Sequence, residues 1–108
     1  MVVTLSYDLK MLDKDLKRSE YEQLIIDEIN RYESCKPLST YYFIKTKTKE
    51  NTAKLHAKLT KIRNDFEEEK IAEFRYVINP CVFTNEEFQF WLKTSDIKCV
   101  EKLFDIKS

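Results

Sequence analysis

None of the 108 residues is glycine. A chain without glycine lacks the residue that enters left-handed backbone or lets another backbone come close at low cost. Phosphate loops of the Walker type, dinucleotide fingerprints and nucleophile elbows all need that freedom, so none of the three can be built here. Chain reversals must rest on Asn, Asp, Ser and Pro, as at Asn79-Pro80.

Apolar periodicity then sets the elements. Val2-Val3-Thr4-Leu5-Ser6-Tyr7-Asp8 alternates as a strand ending on a carboxylate, with Val3, Leu5 and Tyr7 on one face and Val2, Thr4, Ser6 and Asp8 on the other. Lys10 to Arg18 is charge-rich and reads as a solvated loop. Ser19 with Glu22 forms a capping box that opens a helix carrying Tyr21, Leu24, Ile25, Ile29 and Tyr32 as its apolar stripe. Cys35 to Thr46 is β-branched and aromatic. It predicts a short strand, placed at an edge by Pro37, and a longer one, joined near Ser39-Thr40. A second helix is expected from about Glu50 to Phe66, with Leu55, Leu59, Ile62 and Phe66 inward. Glu69 to Ile78 alternates again, with Phe74, Tyr76 and Ile78 on one side, and is expected to stop at Asn79-Pro80.

Thr84-Asn85-Glu86-Glu87 is a second capping box, opening a short helix with Phe88, Trp91 and Leu92 inward. Beyond Ser95, Ile97, Val100, Leu103 and Phe104 recur at helical spacing. The order strand, helix, two strands, helix, strand fits an α+β sandwich of the βαββαβ kind with an antiparallel sheet and a C-terminal helical extension. One domain spans 1–108, with residues 1–80 as core and 81–108 as helical tail. Helices on one face leave the other face free, and a second copy covering either that face or the exposed edge of the last strand would give a homodimer. Phe83, Phe88, Phe90 and Trp91 cannot all point inward from one short helix, so one of them is expected to meet a partner chain.

Formal charge is zero, 19 basic against 19 acidic side chains, so bulk charge does not attract nucleic acid. The distribution does more. From Lys45 to Arg63 there are seven basic residues against Glu50 alone, and Asp65 to Glu69 then reverses the sign. Lys45, Lys47, Lys54, Lys58 and Lys61 are the nucleic-acid-binding candidates, provided they share a surface with Asp8. Cys35, Cys81 and Cys99 show no C-x-x-C pairing, so neither a disulfide framework nor a zinc site is expected; buried reduced thiols and a cytoplasmic location are. No leader precedes the first strand and no run of 18 apolar residues exists, so no membrane association is expected. His56 reads as a surface or half-buried helix histidine. Tyr41, Tyr42 and Phe43 read as packing residues, two in the core and one on the outer face, in preference to a base-stacking platform.

Three segments resemble one superfamily. Leu5-Ser6-Tyr7-Asp8-Leu9 resembles the first strand of the ferredoxin-like CRISPR-associated protein 2 superfamily, which includes virulence-associated protein D toxins and uncharacterised relatives. Pro37 to Thr46 is similar to a Pro-Leu…Ser/Thr-aromatic-aliphatic-Lys-Thr segment of those relatives, and Glu86-Glu87 through Trp91-Leu92-Lys93 to their closing helix. The resemblance implies a symmetric dimer in which Asp8 from each subunit acts as catalytic residue and metal ligand, holding Mg²⁺ that activates water against a phosphodiester of RNA or DNA. Two departures bear on phosphate contact. Lys14, Lys17 and Arg18 are interleaved with Asp13 and Asp15, and Cys35-Lys36-Pro37-Leu38 stands where the founding family has an Arg- and Gln-containing strand. Two functions follow from different classes: a Mg²⁺-dependent endonuclease or endoribonuclease, and a non-catalytic dimeric module that binds nucleic acid or protein.

Overall fold

A computed structural model describes residues 1–81 and 92–104. Its elements are β1 (Val2–Met11), α1 (Arg18–Ile29), β2 (Glu33–Leu38), β3 (Tyr41–Lys45), α2 (Lys49–Glu68), β4 (Ala72–Pro80) and α3 (Thr94–Leu103). The four strands form one antiparallel sheet in the order β2-β3-β1-β4. That order, with α1 and α2 as the two crossovers, is the ferredoxin-like α+β arrangement, and α3 adds a C-terminal helix. The capping box at Thr84–Glu87, the inward Phe88 and Trp91, and the aromatic partner contact expected within 83–91 lie outside the described residues.

The alternation of β1 holds in three dimensions. Val3, Leu5, Tyr7 and Leu9 are buried in the main core with Ile25 and Ile29 of α1, Leu55, Leu59 and Phe66 of α2, and Phe74 of β4. Its length does not match expectation. The strand passes through Asp8 and runs on to Met11, because β4 pairs with it continuously from Val3↔Pro80 to Met11↔Ala72. Backbone pairing and the burial of Leu9 outweigh the poor strand preference of one aspartate. β4 likewise continues through Asn79 to Pro80. It lies at the sheet edge, where the missing proline N–H leaves no ladder partner wanting. Pro37 is on the other edge strand, beside a register shift between Cys35 and Leu38, and Ser39-Thr40 makes the turn into β3 as expected.

Helix α1 starts at Arg18 with Lys17 as N-cap and no side-chain cap, so the Ser19–Glu22 capping box does not form. Glu22 instead accepts from Arg18, whose Nη1 also donates to the Leu9 carbonyl at 2.6 Å. Leu24, expected on the core stripe, is 47% exposed, while Ile25 and Ile29 fill that place.

The lack of glycine shows at two sites. Helix α2 ends in a paired C-terminal motif, Ile71 N–H to Phe66 carbonyl at 2.9 Å and Lys70 N–H to Glu67 carbonyl at 3.2 Å. Glycine ordinarily supplies the left-handed residue there; here it is Lys70 with φ 56°. Lys47, entering α2, has φ 72°.

The second face of the sheet is not wholly free. Val100 and Leu103 of α3, with Leu92, bury Val2, Cys35 and Phe43, and Tyr41, Ile97 and Phe104 pack around them. Cys35 on β2 and Cys99 on α3 are joined by a disulfide, with Cα atoms 6.1 Å apart. This corrects the expectation of reduced thiols for Cys35 and Cys99. Alternation turns Cys35 to the second face, and the periodicity of α3 lays Cys99 against that face, 64 residues later in the chain.

Candidate functional site

Asp8 lies inside β1, exposed, on the half of the second face that α3 leaves uncovered. It does not sit at the sheet lip. With Ser6, Arg75 and Val77 it borders a shallow depression of about 210 Å³. The ladder places Arg75 directly across from Asp8 and Glu73 across from Lys10. Directly opposed side chains have Cβ atoms about 5 Å apart, so the four make a two-by-two checkerboard of alternating sign. The Asp8 carboxylate has no ion pair or hydrogen bond with any described residue, while Arg75 reaches Glu73 at 4.0 Å.

As a metal centre this donor set is poor within one chain. A hard divalent cation wants several oxygen ligands, yet Asp8 has a guanidinium opposite, and the other carboxylate of the checkerboard, Glu73, lies on the diagonal and is paired with Arg75. Among the described residues, no group of three or more His, Cys, Asp or Glu could hold a metal ion. Further oxygen ligands would have to come from another copy.

Behind Asp8, on the core side, Tyr7 is buried between Tyr42 and Phe74, with ring centroids 6.3 and 5.9 Å away. Its hydroxyl has no hydrogen-bond partner at bonding geometry among the described residues. Burial pushes the phenol well above its ordinary range, and the Glu22 carboxylate and Tyr42 beside it push the same way. Tyr7 therefore stays neutral and does not serve as a base at moderate pH.

The structure does not bring the five lysines together around Asp8; Lys45 is on the same sheet face but across the ladder from Val2, at the other end of the β1–β3 pairing. Lys54, Lys58 and Lys61 are exposed on α2, which covers the opposite face of the sheet, and Lys61 is held by Asp65 at 2.8 Å. That hydrogen bond, with the charge of Asp65, raises the Lys61 pKa. Lys45 and Lys47 lie at the junction of β3 and α2, where they line a cleft with Arg31.

His56 is exposed on α2, as expected, with Nδ1 3.0 Å from the Tyr76 hydroxyl. Tyr76 also donates to the His56 carbonyl and lies 2.6 Å from the Thr60 hydroxyl. This polar group clasps β4 to α2 and touches neither Asp8 nor the cleft. Tyr42 enters the main core, whereas Tyr41 and Phe43 turn to the second face beneath α3. None of the three offers an open stacking surface.

Sequence reasoning missed Arg75, Arg31 and the Cys35–Cys99 pair. Arg75 could be placed on the face of Asp8 only once the β1–β4 register was known. Arg31 follows α1 and gave no local signal for a cleft formed with β3. Compared with protein-family models, curated proteins and solved structures, the chain has no match. No helix among the described residues is long and apolar enough to cross a membrane.

Proposed function

We propose that this protein is a non-catalytic, homodimeric nucleic-acid-binding module with a ferredoxin-like fold. One observation carries the reading: Asp8 and the phosphate-attracting lysines of α2, Lys54 and Lys58, are on opposite faces of the sheet. A phosphodiester drawn to Lys54 and Lys58 does not lie against Asp8. The checkerboard supports the dimer. Two sheets packed face to face about an axis in the plane of the interface see each other's pattern reflected. Asp8 then meets Arg75 or Lys10 of the second copy, and Glu73 meets Lys10 or Arg75. Either axis opposes unlike charges, and such complementarity favours encounter and register.

A second reading keeps the superfamily resemblance and its chemistry. Asp8 is exposed and unpaired among the described residues, so a dimer whose axis passes beside it could bring two carboxylates to one Mg²⁺. That arrangement places like charges together and needs the metal to hold them.

Fluorescence anisotropy with labelled RNA and DNA, with and without Mg²⁺, tests both, with gel analysis of the same samples. The module reading expects binding that weakens with salt and with Lys54→Ala/Lys58→Ala, and no cleavage. Mg²⁺-dependent cleavage lost in Asp8→Ala would refute it and establish the second reading. Light scattering should report a mass near twice 13.0 kDa, and Arg75→Asp should return it to a monomer. The compartment follows from the thiols: a cytoplasmic protein would carry Cys35 and Cys99 reduced. A non-reducing mass measurement on protein from its native source decides that point.

A further inference from the structure

Two observations coincide where β3 runs into α2. A cleft of about 340 Å³ opens there, walled by Arg31, Tyr32, Glu33, Lys45, Lys47 and Asn51. The cations reach it from two separate parts of the chain: Arg31 from the segment between α1 and β2, and Lys47 from the turn after β3. Against these two the wall carries one acid, Glu33, which the ladder places directly across from Lys45.

The second observation concerns what the cations do not do. Lys47 and Lys49 flank Thr48, the N-cap of α2, and Glu50 is the one acid of its first turn. The last turn of the same helix has no basic residue and ends on Glu67 and Glu68. Positive charge at a helix start and negative charge at its end oppose the macrodipole, so they destabilise the helix. Fold stability does not account for these lysines. Residues that break a local rule without a structural return are where function is to be sought.

The donors are also available. Arg31 Nε pairs with Glu28 at 3.0 Å, and Nη1 and Nη2 have no partner among the described residues. Two parallel N–H groups of this kind match two oxygens of one phosphate. The Lys47 ammonium has no partner among the described residues either. Asn51 donates its amide to the Thr46 carbonyl at 2.8 Å, and Tyr32 donates to the Asn51 carbonyl at 3.3 Å, so the floor of the cleft is braced before anything binds.

We propose that this cleft binds a phosphomonoester: the terminal phosphate of a nucleic-acid strand, or the phosphate of a free mononucleotide. An internal phosphodiester carries one negative charge and two unbridged oxygens. A monoester carries close to two charges and three such oxygens, which matches an arginine fork with a separate ammonium. The volume exceeds what a phosphate alone fills and leaves room for the sugar attached to it. The strand-end form of the proposal rests on the nucleic-acid-binding reading above; the mononucleotide form does not.

Internally labelled oligonucleotides of one sequence, ending in phosphate or hydroxyl at the 5′ or 3′ end, are titrated with the protein and followed by anisotropy. In parallel, AMP is titrated while backbone amide resonances are recorded. The phosphate-ended strand should bind about tenfold tighter than its hydroxyl-ended counterpart, and AMP should shift the Lys47 and Asn51 amides. Arg31→Ala/Lys47→Ala, two surface changes, should erase both effects while leaving hydroxyl-ended binding within about threefold. Lys54→Ala/Lys58→Ala should do the reverse. If AMP shifts the cleft and no strand binds, the proposal stands with the mononucleotide as ligand, and the module reading fails. If strands bind without regard to their ends and AMP shifts nothing at Lys47 or Asn51, the proposal is overturned. It is equally overturned if both effects survive in Arg31→Ala/Lys47→Ala.

Discussion

Reducing the Cys35–Cys99 bond should cost this protein a large part of its stability. The bond joins residues 64 apart. In the chain-entropy account, closing a loop of that length lowers the entropy of the unfolded chain by roughly 14 cal/mol/K, or about 4 kcal/mol at 25 °C. A domain of this size has about 5–15 kcal/mol in all. The loss should be felt first at α3, because the disulfide ties that helix to the edge strand β2, and α3 covers Val2 and Phe43. The assay is urea unfolding followed by fluorescence and far-UV circular dichroism, with and without a dithiol reductant, and with Cys35→Ser/Cys99→Ser in parallel. With a urea slope of about 2 kcal/mol/M, the midpoint should fall by roughly 2 M. The slope should rise, since the reduced chain unfolds to a more expanded state. Hydrogen exchange should quicken in α3 and β3 before it does in β4. An unchanged midpoint, with both thiols confirmed free by mass, would refute the reasoning, because no constraint on the unfolded state would then have been removed.

Lys70→Gly should stabilise the protein by about 1 kcal/mol in the same assay, because φ 56° suits glycine and strains a residue with a Cβ; a loss of stability would show that the Lys70 side chain contributes more than its backbone costs. Tyr7→Phe removes a buried hydroxyl without a bonding partner among the described residues and should be neutral or stabilising by up to about 1 kcal/mol at pH 7. Its advantage should grow above pH 10: the unfolded phenol then releases its proton while folded Tyr7, raised by burial, keeps it, so the wild type loses stability as pH rises. Parallel alkaline unfolding curves for the two proteins would contradict this. Tyr76→Phe should cost about 1 kcal/mol by breaking the link to His56 and Thr60, read from the thermal midpoint, and should leave nucleic-acid affinity unchanged.

The core was legible because it depends on period alone. Val3, Leu5 and Tyr7 alternate, and Leu55, Leu59 and Phe66 recur on one helical face, whatever the rest of the chain does. Pro37 at an edge and the Ser39-Thr40 turn were legible for the same reason, since proline and turn chemistry act locally. Boundaries were not. Asp8, Asn79 and Pro80 are poor strand residues held in strands by continuous pairing between β1 and β4, and Ser19 offered a capping box that α1 bypassed by starting at Arg18. Register, pairing across the sheet and the side on which a helix docks are long-range facts, and no local spacing in this sequence encodes them.

The candidate site suffered most from that gap. Asp8, Lys47, Lys54, Lys58 and Lys61 are exposed and Lys45 is half-buried, yet the value of all six as a nuclease site depended on a common surface. Alternation could have raised the objection earlier. Asp8 shares its face with Ser6 and Thr4, whereas Lys54 and Lys58 stand on a helix whose apolar stripe packs against the face of Leu5 and Tyr7. A crossover helix in a βαββαβ sheet covers the core face, so its outer surface and the far face of β1 look in opposite directions whatever the register. The same reasoning applies to Lys45. It alternates with Ile44, which is in the main core, and so turns away from α1 and α2, while Lys47, two residues on, already belongs to the turn that feeds α2. The cleft with Arg31 exists because β3 ends between those two lysines. A phosphate site placed there owes its position to the end of a strand, and Asp8, in the middle of one, has no comparable reason to be part of it.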